Sequence, residues 1–136
     1  MGKAFFLIVD DEPRLLKVQM RTAGRYFLES DRGVDTLTAA SGEEAIALVD
    51  DKLKAHPDAE WGLLTDHDMP GMNGVALIDA LDRMLGDKLL VRIVVTGLLD
   101  EERKAIIEAK EAFAESKPMD QSTFQQFLHM FLTRLS

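Results

Sequence analysis

The residue pattern predicts an α/β fold, a five-stranded parallel sheet with helices on both faces, in one domain spanning residues 1–136. Three observations predict it. Apolar runs of strand length alternate five times with segments whose apolar residues recur at helical spacing, the pattern of a repeated βα unit. The first run, Ala4-Phe5-Phe6-Leu7-Ile8-Val9, is apolar at every position, as a central parallel strand covered on both faces must be. The length of 136 residues lies in the single-domain range and suffices for a substantial core.

Composition narrows the function classes. Hydrophobic residues make up 46% and charged residues 29%, so the chain should fold rather than remain disordered. Its formal charge of −8 comes without a cluster of Lys and Arg, which argues against nucleic acid and against an anionic membrane surface as partners. Without Cys there is no disulfide, thiolate metal site or cysteine nucleophile, as suits a reducing compartment. Ala4 to Val9 is too short for a signal sequence or a membrane span, and three acids follow it at once. The expected location is cytoplasmic.

The elements follow in order. After Asp10-Asp11-Glu12, Pro13 suits the first turn of a helix, and Leu16, Met20, Ala23 and Phe27 form its apolar stripe. Val34 to Ala39 is a weaker strand with three polar members, expected near a sheet edge. Ser41-Gly42-Glu43-Glu44 has the capping-box pattern and leads into a second helix through Ala45, Ile46, Val49 and Leu53. A polar connection precedes the third strand, Trp61 to Thr65, with Asp66 at its carboxyl end. Val75, Ile78, Leu81, Asp82 and Leu85 give an imperfect helical stripe stopped by Gly86. Leu89 to Val95 is the fourth strand, ended by Thr96-Gly97. Asp100 to Glu111 reads as a charged helix with one narrow buried stripe. Ala112 to Ser116 is a short fifth strand stopped by Lys117-Pro118. Phe124, Phe127, Leu128, Phe131, Leu132 and Leu135 form the last amphipathic helix.

Ligands of parallel α/β sheets gather at the carboxyl ends of the strands. The polar residues at those ends are Asp10, Asp11 and Glu12, then Asp66, Thr96 and Lys117. Pro70, Gly71 and Gly74 force a turn just beyond Asp66 and leave its carboxylate at the rim. For that aspartate alone a capping role would be the simpler reading. Several carboxylates brought together repel unless a cation joins them, and an oxygen-only set selects a hard ion, Mg²⁺ or Mn²⁺, over zinc. A cation beside a hydroxyl and a lysine is a phosphoryl-binding arrangement.

Val9-Asp10-Asp11-Glu12, Asp66-His67-Asp68-Met69-Pro70-Gly71-Met72-Asn73-Gly74, Val94-Val95-Thr96-Gly97 and Ser116-Lys117-Pro118, each after an expected strand, together make a specific signature. The chain resembles the receiver domains of two-component response regulators over nearly its whole length. That resemblance implies a flavodoxin-like (βα)5 fold with strand order 2-1-3-4-5, for which the chemotaxis regulator is a standard example. It further implies that Asp66 accepts a phosphoryl group from a sensor histidine kinase or a histidine phosphotransfer protein. Asp11 and Asp66 would ligate Mg²⁺ with the backbone carbonyl of Asp68, and Asp10 would support the metal through water. Thr96 would hydrogen-bond the phosphoryl oxygen and Lys117 would pair with it, and a cis bond is implied before Pro118. Such a protein is a regulatory phosphoacceptor that catalyses only its own phosphorylation and dephosphorylation.

One position departs from the family. Receivers carry an aromatic three residues before the lysine, where this chain has Ala114. Either a one-residue slip brings Phe113 into that role, or the aromatic is absent and Phe113 is buried core, since one residue changes the face of a strand. His67 reads as a solvated loop residue, and His56 and His129 as structural or exposed. A pseudo-receiver that binds a partner without phosphorylation is a second reading, kept open by Ala114. A haloacid dehalogenase-like aspartyl phosphatase is a third, because Asp66-His67-Asp68 fits its D-x-D; that family has its D-x-D after the first strand with a Thr following, where this chain has Pro70. The output surface implied is the face of the fourth helix, fifth strand and fifth helix. With Ser136 last in the sequence, the signal is expected to leave through a downstream protein or a homodimer formed there.

Overall fold

The computed structural model describes residues 2–136. Five strands, β1 (Ala4–Val9), β2 (Val34–Ala39), β3 (Glu60–Asp66), β4 (Leu89–Thr96) and β5 (Phe113–Ser116), form one sheet in the order β2-β1-β3-β4-β5. Every neighbouring pair is parallel. The helices are α1 (Pro13–Ser30), α2 (Gly42–Ala55), α3 (Gly74–Leu85), α4 (Glu101–Glu108) and α5 (Gln121–Arg134), with a 3-10 turn at Gly86–Lys88. The flavodoxin-like order is the one implied by the receiver resemblance.

Two cores flank the sheet. Phe5, Leu7, Val9, Trp61 and Leu63 face α2, α3 and α4, whereas Phe6, Ile8, Leu64, Ile93 and Val95 face α1 and α5. All six residues of β1 are buried, which is why that run shows no polar alternation. Phe6, Phe27 and Phe131 meet with ring centroids 5.5–6.0 Å apart. Gly62 makes room for them, because a Cβ there would lie 2.7 Å from Phe6 and 2.9 Å from Phe131. Full burial of such a side chain is worth about 1.5–3 kcal/mol and an exposed ion pair at most ~1 kcal/mol, so the two cores and not the surface charges hold the fold.

The edge position of β2 and the Ser41 cap agree with the sequence reading; the Ser41 hydroxyl accepts the Glu44 N–H at 3.1 Å. Three details differ. Met20 is 46% exposed, because it lies at the rim of a stripe centred on Leu16, Ala23 and Phe27. Helix α4 stops at Glu108 rather than Glu111, which takes a left-handed φ of 58°. Arg92 of β4 fixes that ending by donating to the Lys110 carbonyl at 3.1 Å, and it also pairs with Asp82, the charged member of the α3 stripe. Phe113 is neither buried core nor turned to the position of Ala114. Its partner in β4 is Ile93, its ring packs 5.3 Å from Phe127 of α5, and it is 37% exposed. Ala114 faces the opposite core, so no slip of β5 brings an aromatic there.

No helix among the described residues is long and apolar enough to cross a membrane.

Candidate functional site

The carboxyl ends of β1, β3, β4 and β5 bring the polar residues together. Asp10 follows β1, and its N–H bonds to the Ala39 carbonyl at 3.2 Å. The Asp10 side chain then turns inward and accepts the Glu12 N–H at 2.9 Å. Asp66 is the last residue of β3, and its Oδ1 accepts the Asp68 N–H at 3.2 Å. Both carboxylates are only 3% exposed. Helix α3 begins hard against this strand end, with its first turn capped by Asn73. A Cβ at Gly74 would lie 2.9 Å from the Asp66 carbonyl oxygen, so only glycine permits that approach.

Lys117 closes the group from β5. Its Nζ lies 3.2 Å from Asp66 Oδ1 and 3.4 Å from Asp10 Oδ2, and its own N–H is anchored to the Thr96 carbonyl at 2.9 Å. The Lys117-Pro118 bond is cis, as the resemblance implied. Burial works against the Lys117 ammonium, but Asp10 and Asp66 outweigh it and hold its pKa above the ordinary range. For Asp10 the balance falls the other way. Burial, helped by the Asp66 charge, pushes its carboxyl up, and the Glu12 N–H and Lys117 recover only part of that. Ion pairing therefore keeps the lysine charged without fully compensating the aspartate.

Asp11 joins from the exposed side. One carboxylate oxygen from each of Asp10, Asp11 and Asp66 lies within 4.8 Å of the others. Three carboxylates face one ammonium here, and the donor set is oxygen alone, so the residues fit a hard divalent cation. A cleft of about 510 Å³ opens beside the acids, lined by Leu15, Val18, Pro118 and Met119 as well as Asp10, Asp66 and Lys117.

Thr96 and Asp68 sit apart from this pairing. Thr96 is fully buried at the end of β4, and its hydroxyl donates to Asp68 Oδ2 at 2.8 Å. The Gly97 N–H reaches the same oxygen at 3.2 Å. Arg103, from the first turn of α4, places Nη1 3.0 Å from Asp68 Oδ1, 2.9 Å from Thr96 Oγ1 and 3.2 Å from the Leu98 carbonyl. Burial opposes ionisation of Asp68, but Thr96, Gly97 and Arg103 together hold its carboxyl below the usual range. Within the receiver reading the sequence implied a role only for the Asp68 main-chain carbonyl, and Arg103 was missed. An arginine among the charged residues of α4 carries no local signal of this role.

His67 is not the solvated residue expected. It is half-buried, with its N–H on the Val95 carbonyl at 2.9 Å, and Nδ1 has no partner among the described residues. Burial, then the charge of Arg103, pushes its pKa down. His56 lies against Phe5, with ring centroids 5.8 Å apart, and His129 is exposed.

Residues 6–129 match the family model of the response regulator receiver domain. The two-component response regulator ARR22 of Arabidopsis thaliana is 32% identical over 132 residues, covering 92% of this chain and 82% of that protein. The chemotaxis protein CheY4 of Vibrio cholerae superposes with a TM-score of 0.71 at 24% identity, covering 98% of this chain and 100% of that one. A response regulator receiver protein from Pseudomonas putida superposes with a TM-score of 0.72 at 22% identity, covering 95% and 98% respectively. At those identities the two structures speak for the fold alone. The chain belongs to the response regulator receiver domain family, a regulatory family rather than one of conventional enzymes.

Proposed function

We propose that residues 1–136 act as a single cytoplasmic receiver domain in which Asp66 is the phosphoacceptor. The observation that carries this reading is the buried Asp66 carboxylate at the end of β3 with the Lys117 ammonium 3.2 Å away. Lys117 and the Asp68 N–H both contact Oδ1, which presents Oδ2 for attack on phosphorus. In the transfer, that oxygen forms a bond to the phosphorus of a phosphohistidine as the P–N bond breaks. The electron pair leaves with the imidazole, which takes up a proton, and Asp66 becomes an acyl phosphate. Lys117 would move from the carboxylate toward the new phosphoryl oxygens, and Thr96 would donate its hydroxyl to them. Asp10, Asp11 and Asp66, with the Asp68 main-chain carbonyl, would hold Mg²⁺ or Mn²⁺, which when bound supplies charge neutralisation for those oxygens.

The donor would be a sensor histidine kinase or a histidine phosphotransfer protein, admitted through the cleft beside the acids. Phosphorylation adds roughly −1.5 to −2 charges at the strand ends, enough to redirect Thr96, Lys117 and the loops that carry them. Output would pass through the α4-β5-α5 face to a downstream protein or a second copy of the chain. Incubation with acetyl phosphate and Mg²⁺ followed by intact-mass measurement tests the reading. The wild-type protein should gain one labile phosphoryl group and Asp66→Asn none. Equal labelling of the two proteins would refute the assignment.

A further inference from the structure

We infer that the Asp68 carboxylate is a built-in occupant of an anion site made by Thr96, Gly97 and Arg103, and that Arg103 holds it there. The donor geometry carries the inference. Oδ2 receives the Thr96 hydroxyl at 2.8 Å and the Gly97 N–H at 3.2 Å, while Oδ1 receives Arg103 Nη1 at 3.0 Å. A hydroxyl, a main-chain amide and a guanidinium converging on one group are what an oxyanion requires. Thr96 has one proton to give, and it is committed to Asp68. Its oxygen meanwhile accepts from Arg103 at 2.9 Å, and the other acceptor within its reach, the Leu98 carbonyl, is much the longer contact at 3.4 Å.

The site adjoins the proposed phosphoacceptor, because Asp66 pairs with Val95, the residue before Thr96. If Asp66 carries a phosphoryl group, as proposed above, Thr96 cannot serve that group and Asp68 at once. Capture therefore requires Asp68 to withdraw, and its withdrawal frees Arg103. Asp100 caps α4 by accepting the Arg103 N–H at 2.8 Å, so a change of partner at this side chain acts on the first turn of that helix. This gives α4 a link to the site that does not need an aromatic at Ala114. The effect is graded rather than absolute. The Asp68 and Arg103 side chains are 45% and 30% exposed, and contacts so open to water are worth factors of a few.

Two arms test the inference on the full chain, labelled with ¹⁵N. In the first, inorganic phosphate is titrated while the Thr96 and Gly97 amides are followed, with no modification of Asp66. Asp68→Ala should show saturable shifts at both amides, at a concentration about threefold to tenfold below any response of the wild type. Adding Arg103→Gln should weaken that response again. Indistinguishable titrations of wild type and Asp68→Ala overturn the inference, and Asp68→Asn checks that loss of charge rather than of side-chain bulk is responsible. In the second arm, the initial rate of phosphoryl uptake from acetyl phosphate should rise by a similar factor in Asp68→Ala. An unchanged or lower rate overturns the competition with the phosphoryl group. If phosphate binds in the first arm but no protein with Asp66 intact takes up a phosphoryl group, the phosphoacceptor reading fails and the anion site stands.

Discussion

The two halves of the site are held by different forces. Asp10, Asp66 and Lys117 stand at the ends of three strands, with the acids buried and the lysine between them. Asp68, Thr96 and Arg103 join a loop, a strand end and a helix, and only Thr96 is buried. In the first half, removal of a partner strands a buried charge, which costs far more than the pair itself contributes. In the second, solvent or another anion can replace most of what is lost. A group that must hold its place through bond making belongs in the first setting. A group that must change partners when charge arrives belongs in the second.

The largest expected effect breaks the first half directly. Lys117→Ala leaves Asp10 and Asp66 facing each other without a cation, so phosphoryl uptake from acetyl phosphate should fall about tenfold or more. The protein in EDTA should also lose about 1–3 kcal/mol in urea melts, less than a fully buried pair would lose because Lys117 is 29% exposed. Arg103→Gln in the same melts should cost under about 1 kcal/mol. Equal losses in the two proteins would erase the distinction between the halves.

A smaller effect sharpens the boundary between them. Phe113 stands beside the position where receivers carry their aromatic, yet it packs on Phe127 of α5. Phe113→Ala should cost about 1–2 kcal/mol, below the cost of a core phenylalanine because the ring is over one-third exposed. Phosphoryl uptake and the response of the α4 amides to phosphorylation should be unaltered. Loss of that α4 response would make Phe113 the relay and remove the need for Arg103.

What the sequence made legible follows the range of the forces involved. The strands and the acids at their ends were readable because β1 is apolar along its whole length and β3 carries an apolar run from Trp61 to Leu64, each followed within two residues by an aspartate, a signal contained in a few consecutive residues. Capping at Ser41 was readable for the same reason. The end of α4 was not, because it depends on Arg92 reaching the Lys110 carbonyl from eighteen residues away. Arg103 was invisible in the same way: its partner Asp68 is thirty-five residues earlier, and periodicity reports which way a helix faces, not which distant side chain answers. Phe113 marks a third limit, since alternation along a four-residue edge strand does not decide which face is covered.

The smallest effect concerns the strained member of the first half. Burial raises the Asp10 carboxyl above its ordinary value of 3.8, with Asp66 adding to the shift, so the folded protein binds that proton more tightly than the unfolded chain does. Ionised Asp10 therefore weakens the metal-free fold. The penalty is absent below pH 3.8, develops as pH rises through the shifted value, and is complete above it. Asp10→Asn removes the charge while keeping an oxygen for the Glu12 N–H, and should stabilise the protein in EDTA by about 1 kcal/mol at neutral pH. Thermal melts across pH should show that gain shrinking toward zero as the medium is acidified. A gain that is constant with pH, or a loss at neutral pH, would mean that Lys117 compensates Asp10 fully and that the acids are not held in tension.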